Sequence, residues 1–201
     1  MDKGMLVVLS GPSGAGKGTI LSEFLKDEDF CVSISATSRK PRPGDTEGVT
    51  YFFKTKDEFE EMIKQGEFFE YAQFNGNYYG TPKNYVLEQI NNGKNIILEI
   101  EVQGAMQVKA AVPDAVLIFM TTPNIKVLRE RLEGRQTEPQ QVIEQRLATA
   151  LEEIEYINCY DYLIINNEIE QTVTDLKNVV NSAKNKAKSN LEFIKKFKGE
   201  N

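Results

Sequence analysis

The chain has 201 residues, enough for one well-buried core with small inserted lobes and too few for two ordinary independent domains. Its formal net charge of −6 and pI near 5.0 argue against a protein that holds nucleic acid or an anionic membrane by general attraction, so any anion must be caught locally. The absence of histidine excludes histidine-based triads and the commonest zinc sites, and the two cysteines, Cys31 and Cys159, lie far apart and read as small hydrophobes.

The opening MDKGMLVVLSG runs into a glycine loop without a signal-peptide pattern, and no run reaches the roughly eighteen apolar residues of a membrane span, so the cytoplasm is the expected compartment. Met5 to Leu9 predicts a buried strand. The segment KGTILSEFLK then carries Ile20, Leu21, Phe24 and Leu25 on one helical face. Residues 35–91 interrupt the pattern with a Pro-Arg-Pro-Gly turn, a helix opened by a Thr55/Glu58 capping box and stopped at Gly66, and a hairpin signal at Asn75-Gly76. They are expected to form an inserted mixed β/α lobe. Further strands are expected at Ile96 to Ile100, Val116 to Met120 and Leu163 to Ile165. Residues 125–160 have no strand signal and read as a helical lid, with Pro139 at a first helical position. From Glu170 onward a helix leads into a lysine-rich tail whose Leu191, Ile194 and Phe197 are expected to dock on the core or on a sister subunit. Alternating strands and helices predict an α/β protein with a parallel sheet flanked by helices, its core drawn from residues 1–34, 92–124 and 161–201 of a single domain.

The stretch Gly11-Pro12-Ser13-Gly14-Ala15-Gly16-Lys17 has Walker A spacing, in which backbone N–H groups at a helix start surround phosphate and the lysine reaches the outer phosphates. Position 18 departs from the pattern. Gly18 stands where a hydroxyl is usual and Thr19 follows it, so Mg2+ is expected to be held mainly by phosphates and water, without a direct protein ligand.

Arg39 and Arg42 lie in SISATSRKPRPGD, kept from helix by Pro41 and Pro43, and two guanidinium forks there can grip one phosphate dianion. Downstream, EFFEYAQFNGNYYGTP supplies Glu70, Tyr71, Tyr78, Tyr79 and Thr81 around the hairpin. Together the Walker A loop, SRKPRPGD, FFEY, NYYGT, LEIEVQGA and IINNE, in this order and spacing, resemble the guanylate kinase family over about residues 5–170.

That resemblance implies a P-loop NTPase-type core with a GMP-binding lobe and a lid, transferring the γ-phosphoryl of ATP to GMP with Mg2+ in purine nucleotide metabolism. It implies ATP contacts at Gly11, Pro12, Ser13, Gly14, Ala15, Gly16, Lys17, Gly18, Thr19 and Asn166. The GMP phosphate would be held by Ser35, Arg39, Arg42, Tyr51 and Tyr79, with Asp45 nearby, and the guanine read by Glu70 and Thr81. Lys17, Arg39, Arg131, Arg135 and Arg146 would be the catalytic cations. Beyond ATP and GMP the partner expectations are dGMP as a second acceptor and a homodimer, with neither nucleic acid nor membrane. The physics supports Glu70: a carboxylate accepts from guanine N1–H and N2–H together, and adenine would leave that charge unpaired.

Glu99 and Glu101 end the run NIILEIE and are expected on opposite sides of it, holding water on Mg2+ or touching the guanine side. Relatives usually carry glutamate at Asp45, aspartate at Glu101 and glycine at Gln136. Two other classes share such a core. A peptide-binding scaffold module is disfavoured by the intact Lys17 and glycines, and a sugar-phosphate kinase by Glu70, Thr81 and the tyrosines.

Overall fold

The computed structural model describes residues 4–26, 30–135, 139–186 and 191–199. At its centre β1 (Leu6–Ser10) is buried along its whole length, as a continuous apolar run covered on both faces must be. It pairs in parallel with β7 (Asn95–Glu99) on one side and β8 (Val116–Thr121) on the other. The outer positions belong to β2 (Phe30–Val32) and β9 (Tyr162–Ile165), giving the all-parallel order β2-β7-β1-β8-β9.

The two faces divide by residue parity. Val7 and Leu9 join Ile97, Ile118 and Met120 beneath α1 (Lys17–Phe24) and α7 (Ile169–Lys184). Leu6 and Val8 join Ile96, Leu98 and Leu117 beneath α3 (Lys83–Asn91) and α4 (Val102–Ala111). Each fully buried large side chain, such as Leu9 or Phe24, contributes about 1.5–3 kcal/mol relative to an exposed position.

A second sheet of order β4-β3-β6-β5 is built from β3 (Ala36–Thr37), β4 (Phe52–Phe53), β5 (Phe68–Phe74) and β6 (Asn77–Pro82). Asn75 and Gly76 both take positive φ, 48° and 76°, the turn geometry whose twist matches the hairpin strands. Between β4 and β5, α2 (Lys56–Lys64) has both halves of the Thr55/Glu58 capping box, and its Phe59 packs with Ala36 and Phe68 in a small separate core. The next helix, α3, sends Val86 into the main core, so the end of the inserted region is anchored on the parallel sheet.

After β8, α5 (Ile125–Glu133) and α6 (Gln140–Ile154) pair through Leu128, Leu132, Ile143 and Leu147. Arg129 clasps Glu144 across them with both guanidinium nitrogens, Nη2 to Oε2 at 2.8 Å, and this holds the Glu144 carboxyl down at about 2. A 3-10 turn over Glu155–Cys159 returns the chain to β9. The last helix is α8 (Leu191–Phe197). Among the described residues no helix is long and apolar enough to cross a membrane.

Several expectations change. Strand β2 is not anticipated, because three residues pairing with one neighbour leave too short a pattern. Pro139 is the cap of α6 and its helical run starts at Gln140. Cys159 is exposed and so does not behave as a core hydrophobe. In the tail Phe193, Ile194 and Phe197 are exposed, so those side chains do not dock on the core. Gln136, residues 187–190 and the side chain of Leu191 lie outside the described residues.

Candidate active site

The phosphate loop leaves the carboxyl end of β1, the edge of an α/β sheet at which ligands bind. Its glycines answer to contacts as well as to backbone angles. Gly11 has φ 139° and a Cβ there would stand 2.0 Å from the Met120 carbonyl oxygen; Gly16, at φ 90°, caps α1 with the Asn166 amide only 2.5 Å from where its Cβ would be. The first turn of α1 therefore presents its unpaired N–H groups and positive dipole end to the loop.

Lys17 opens α1 and folds back over the loop, its Nζ donating to the carbonyls of Gly11 and of Pro12, the latter at 3.2 Å. Burial pushes its ammonium below the ordinary lysine value, while Glu99, Glu153 and Glu101 pull it back and Arg135 opposes them. Glu153 is a residue that the sequence reading missed. It lies seven positions after Arg146 on α6, hence on the same helical face, and that spacing was the available signal. Burial raises the Glu153 carboxyl, with Lys17 opposing and Glu101 adding to the rise.

Arg131 of α5, Arg135 in the turn after it and Arg146 of α6 divide in two. Arg131 lies under the loop, with Nη2 donating to the Asn166 carbonyl at 2.9 Å and Nη1 to the Ala15 carbonyl at 3.3 Å. Asn166, buried at the end of β9, donates to the same Ala15 carbonyl at 2.8 Å and accepts from Thr172 at 3.2 Å. These two residues brace the loop backbone from below. Arg146 instead reaches the loop rim, donating to Ser13 Oγ at 2.6 Å, and Arg135 is exposed.

Facing the loop, a cleft of about 320 Å³ opens between the two sheets, lined by Ser35, Tyr51, Glu70, Tyr79, Glu99, Glu101, Gln103 and Gly104 among others. Glu70 is 7% exposed, and its Oε1 accepts from Thr81 Oγ1 at 2.6 Å. Burial pushes the Glu70 carboxyl up; hydrogen bonds from Thr81 partly offset this and Glu101 adds to it. The structure thus brings Ser35, Tyr51, Glu70, Tyr79, Glu99 and Glu101 to one cleft with Thr81 directly behind Glu70.

Glu99 and Glu101 do not face opposite ways. The strand ends at Glu99, Glu101 is the cap residue of α4, and both line the same cleft, as residues two apart in a pleat share a face.

Arg39 sits at the cleft's outer end, its guanidinium 5.4 Å from the Tyr51 ring centre and paired with Asp45 at 2.9 Å. Asp45 also accepts the Arg42 backbone N–H at 2.7 Å, and these bonds hold its carboxyl below the usual range. It does not line the cleft. The Arg42 residue is exposed next to it. Near the loop, Gly18 faces Glu99, whose Oε1 is 3.8 Å from where a Cβ would be, and Thr19 is exposed. Among the described residues no group of three acidic, cysteine or histidine side chains is arranged to hold a metal directly.

Comparison with known proteins gives one answer. The guanylate kinase family model matches residues 3–183. The guanylate kinase of Clostridioides difficile is 48% identical over 202 residues, spanning 100% of this chain and 98% of that protein. That of Bacillus cereus is 51% identical over 180 residues, 89% of this chain and 88% of its own. The crystal structure of guanylate kinase from Anaplasma phagocytophilum superposes with a TM-score of 0.75 at 28% identity, covering 100% of this chain and 98% of that one. With the family model spanning residues 3–183 and relatives of about half identity over nearly its full length, the chain belongs to the guanylate kinase family.

Proposed function

We propose that this enzyme transfers the γ-phosphoryl of ATP to GMP across the gap between the phosphate loop and the cleft of Glu70. The observation that carries the reading is the buried Glu70 carboxylate, fixed by Thr81 and lining the cleft with Glu99 and Glu101. Such a carboxylate is costly to bury, and guanine's two adjacent donors would offset that cost.

In this reading an oxygen of the GMP phosphate attacks the γ-phosphorus in line. The bond to the β,γ-bridging oxygen breaks, and ADP departs as GDP forms. The acceptor is already an anion, so no general base is required. Arg39, with Ser35, Tyr51 and Tyr79 beside it and Arg42 at the rim, holds the acceptor phosphate. Lys17 leaves the Gly11 and Pro12 carbonyls for the β- and γ-phosphates, and Arg135 and Arg146 neutralise charge from the lid. Arg131 and Asn166 act through the loop that they brace.

Mg2+ fits this arrangement through phosphates and water, because Gly18 offers no hydroxyl and Glu99 lies beside it with a free face toward the cleft. The ion would supply charge neutralisation on the phosphates. dGMP carries the same base and phosphate and is read as a second acceptor. A coupled assay with ATP and Mg2+ comparing GMP, dGMP, AMP, UMP and a sugar bisphosphate tests the assignment. GMP is expected to exceed AMP by several orders of magnitude in kcat/KM, and equal turnover of AMP would overturn it.

A further inference from the structure

Strand β5 is an edge of its sheet, so its outer row of N–H and C=O groups has no strand partner. One residue of α4 supplies what a strand would. Gln107 Oε1 accepts the Tyr71 N–H at 3.3 Å, and its Nε2 donates to the Tyr71 carbonyl at 3.3 Å. This reciprocal pairing with a donor and an acceptor also fixes which way the amide points.

One turn earlier on the same helical face is Gly104, which is buried. A Cβ there would stand 3.0 Å from Glu70 Oε2, 3.3 Å from its Cγ and 3.4 Å from its Cδ. The missing side chain is thus the room in which the Glu70 carboxylate lies. Helix α4 is rooted in the main core through Val102, Ala105 and Val108. Glu70 is therefore held from the lobe by Thr81 and from the core by α4.

We propose that Gly104 and Gln107 are positioning residues for base selection, setting the guanine-reading carboxylate from the core side. Gly104 supplies close approach and Gln107 fixes the height of β5 against the helix. The proposal rests on the reading of Glu70 as the guanine contact, and the test separates the two.

IMP keeps the N1–H of guanine and lacks its exocyclic amine, so the ratio of kcat/KM for GMP over IMP reports how well the carboxylate reaches both donors. The ratio is measured for wild type, Glu70→Gln, Gly104→Ala and Gln107→Met, together with KM for ATP. Gln107 is exposed, so its replacement by methionine removes two hydrogen bonds without opening a cavity. Both α4 variants are expected to lower the ratio about 3- to 10-fold, the effect of one misaligned hydrogen bond, mainly through KM for GMP and with KM for ATP unchanged. A ratio that falls in Glu70→Gln and stays at the wild-type value in both α4 variants overturns the proposal and leaves the Glu70 reading standing. A ratio untouched by Glu70→Gln overturns that reading and the proposal with it. GMP and IMP falling together, with KM for ATP rising, would make the two residues merely structural and also overturn the proposal.

Discussion

Arg146 on α6 donates to Ser13 Oγ in the phosphate loop at 2.6 Å, joining that helix to the loop across 133 positions of sequence. In the proposed reaction the helix itself would thus deliver the guanidinium beside the phosphates. Arg146→Ala is expected to lower kcat about 100- to 1,000-fold, the usual cost of losing one preorganised charge at a transition state. KM for ATP should change far less, and Ser13→Ala should stay near wild type because its hydroxyl is only the resting partner. Steady-state kinetics of both variants check this; a large loss in Ser13→Ala would make the contact, not the cation, the important element.

Lys17→Ala should abolish turnover by orders of magnitude while the protein stays folded. Its ammonium is destabilised by burial, and its bonds are to loop carbonyls, so the truncation removes no apolar core contact. Circular dichroism and a thermal melt beside the assay decide the matter. Retained turnover in a folded variant would remove the loop assignment.

Glu70→Gln should cost about 2–4 kcal/mol of transition-state binding for GMP, because an amide can accept only one of the two donors and turns its own N–H groups toward the other. KM for ATP should be little altered. The same substitution should make the empty protein more stable at neutral pH. The folded Glu70 carboxyl titrates above its ordinary value of 4.5, so its ionisation weakens the fold. That weakening is absent below the unfolded value and complete once the pH has risen through the folded one. The melting-temperature gap between variant and wild type should therefore be widest near pH 7.5 and close near pH 4. A gap that widens on acidification contradicts the sign.

Asp45→Asn should raise KM for GMP about tenfold, the effect of loosening one charge-assisted hydrogen bond that aims Arg39. The value of kcat at saturating GMP should move less, since the arginine itself remains. If KM is unchanged, Arg39 is held well enough by Tyr51 and Phe53, whose ring centres lie 5.4 and 5.9 Å from its guanidinium carbon.

Closure of the second sheet toward the core is expected when both substrates bind, because phosphoryl transfer needs bulk water excluded from the gap. Paired fluorophores on α2 and α7 should report a shorter distance with GMP and a non-hydrolysable ATP analogue. An unchanged distance distribution would count against closure.

The phosphate loop could be read from residues alone because each of its special positions answers to a local rule, a positive φ or a helix start, that a few consecutive letters express. The Asn75-Gly76 hairpin and the Thr55/Glu58 box were legible for the same reason. What escaped were meetings made by the third dimension. That Arg131 braces Ala15 from beneath, that Glu153 approaches Lys17 and that Gln107 completes the edge of β5 depend on helices arriving from remote segments. Glu101 was misplaced because positions two apart in extended chain fall on one side, and Glu101, still extended as the cap of α4, keeps that alternation and faces the cleft with Glu99.

The position of β1 also orders events in time. Leu6 pairs with Ile96, and Val7 pairs with Val116, so β1 leaves the ribosome about ninety residues before its earliest sheet neighbour, β7. Loop closure on that scale makes the central pairing slow, whereas the hairpin of β5 and β6 can form at once from adjacent residues. The sheet that carries Glu70 can therefore take shape while the glycine loop after β1, although synthesised earlier, still waits for the strands on either side of it.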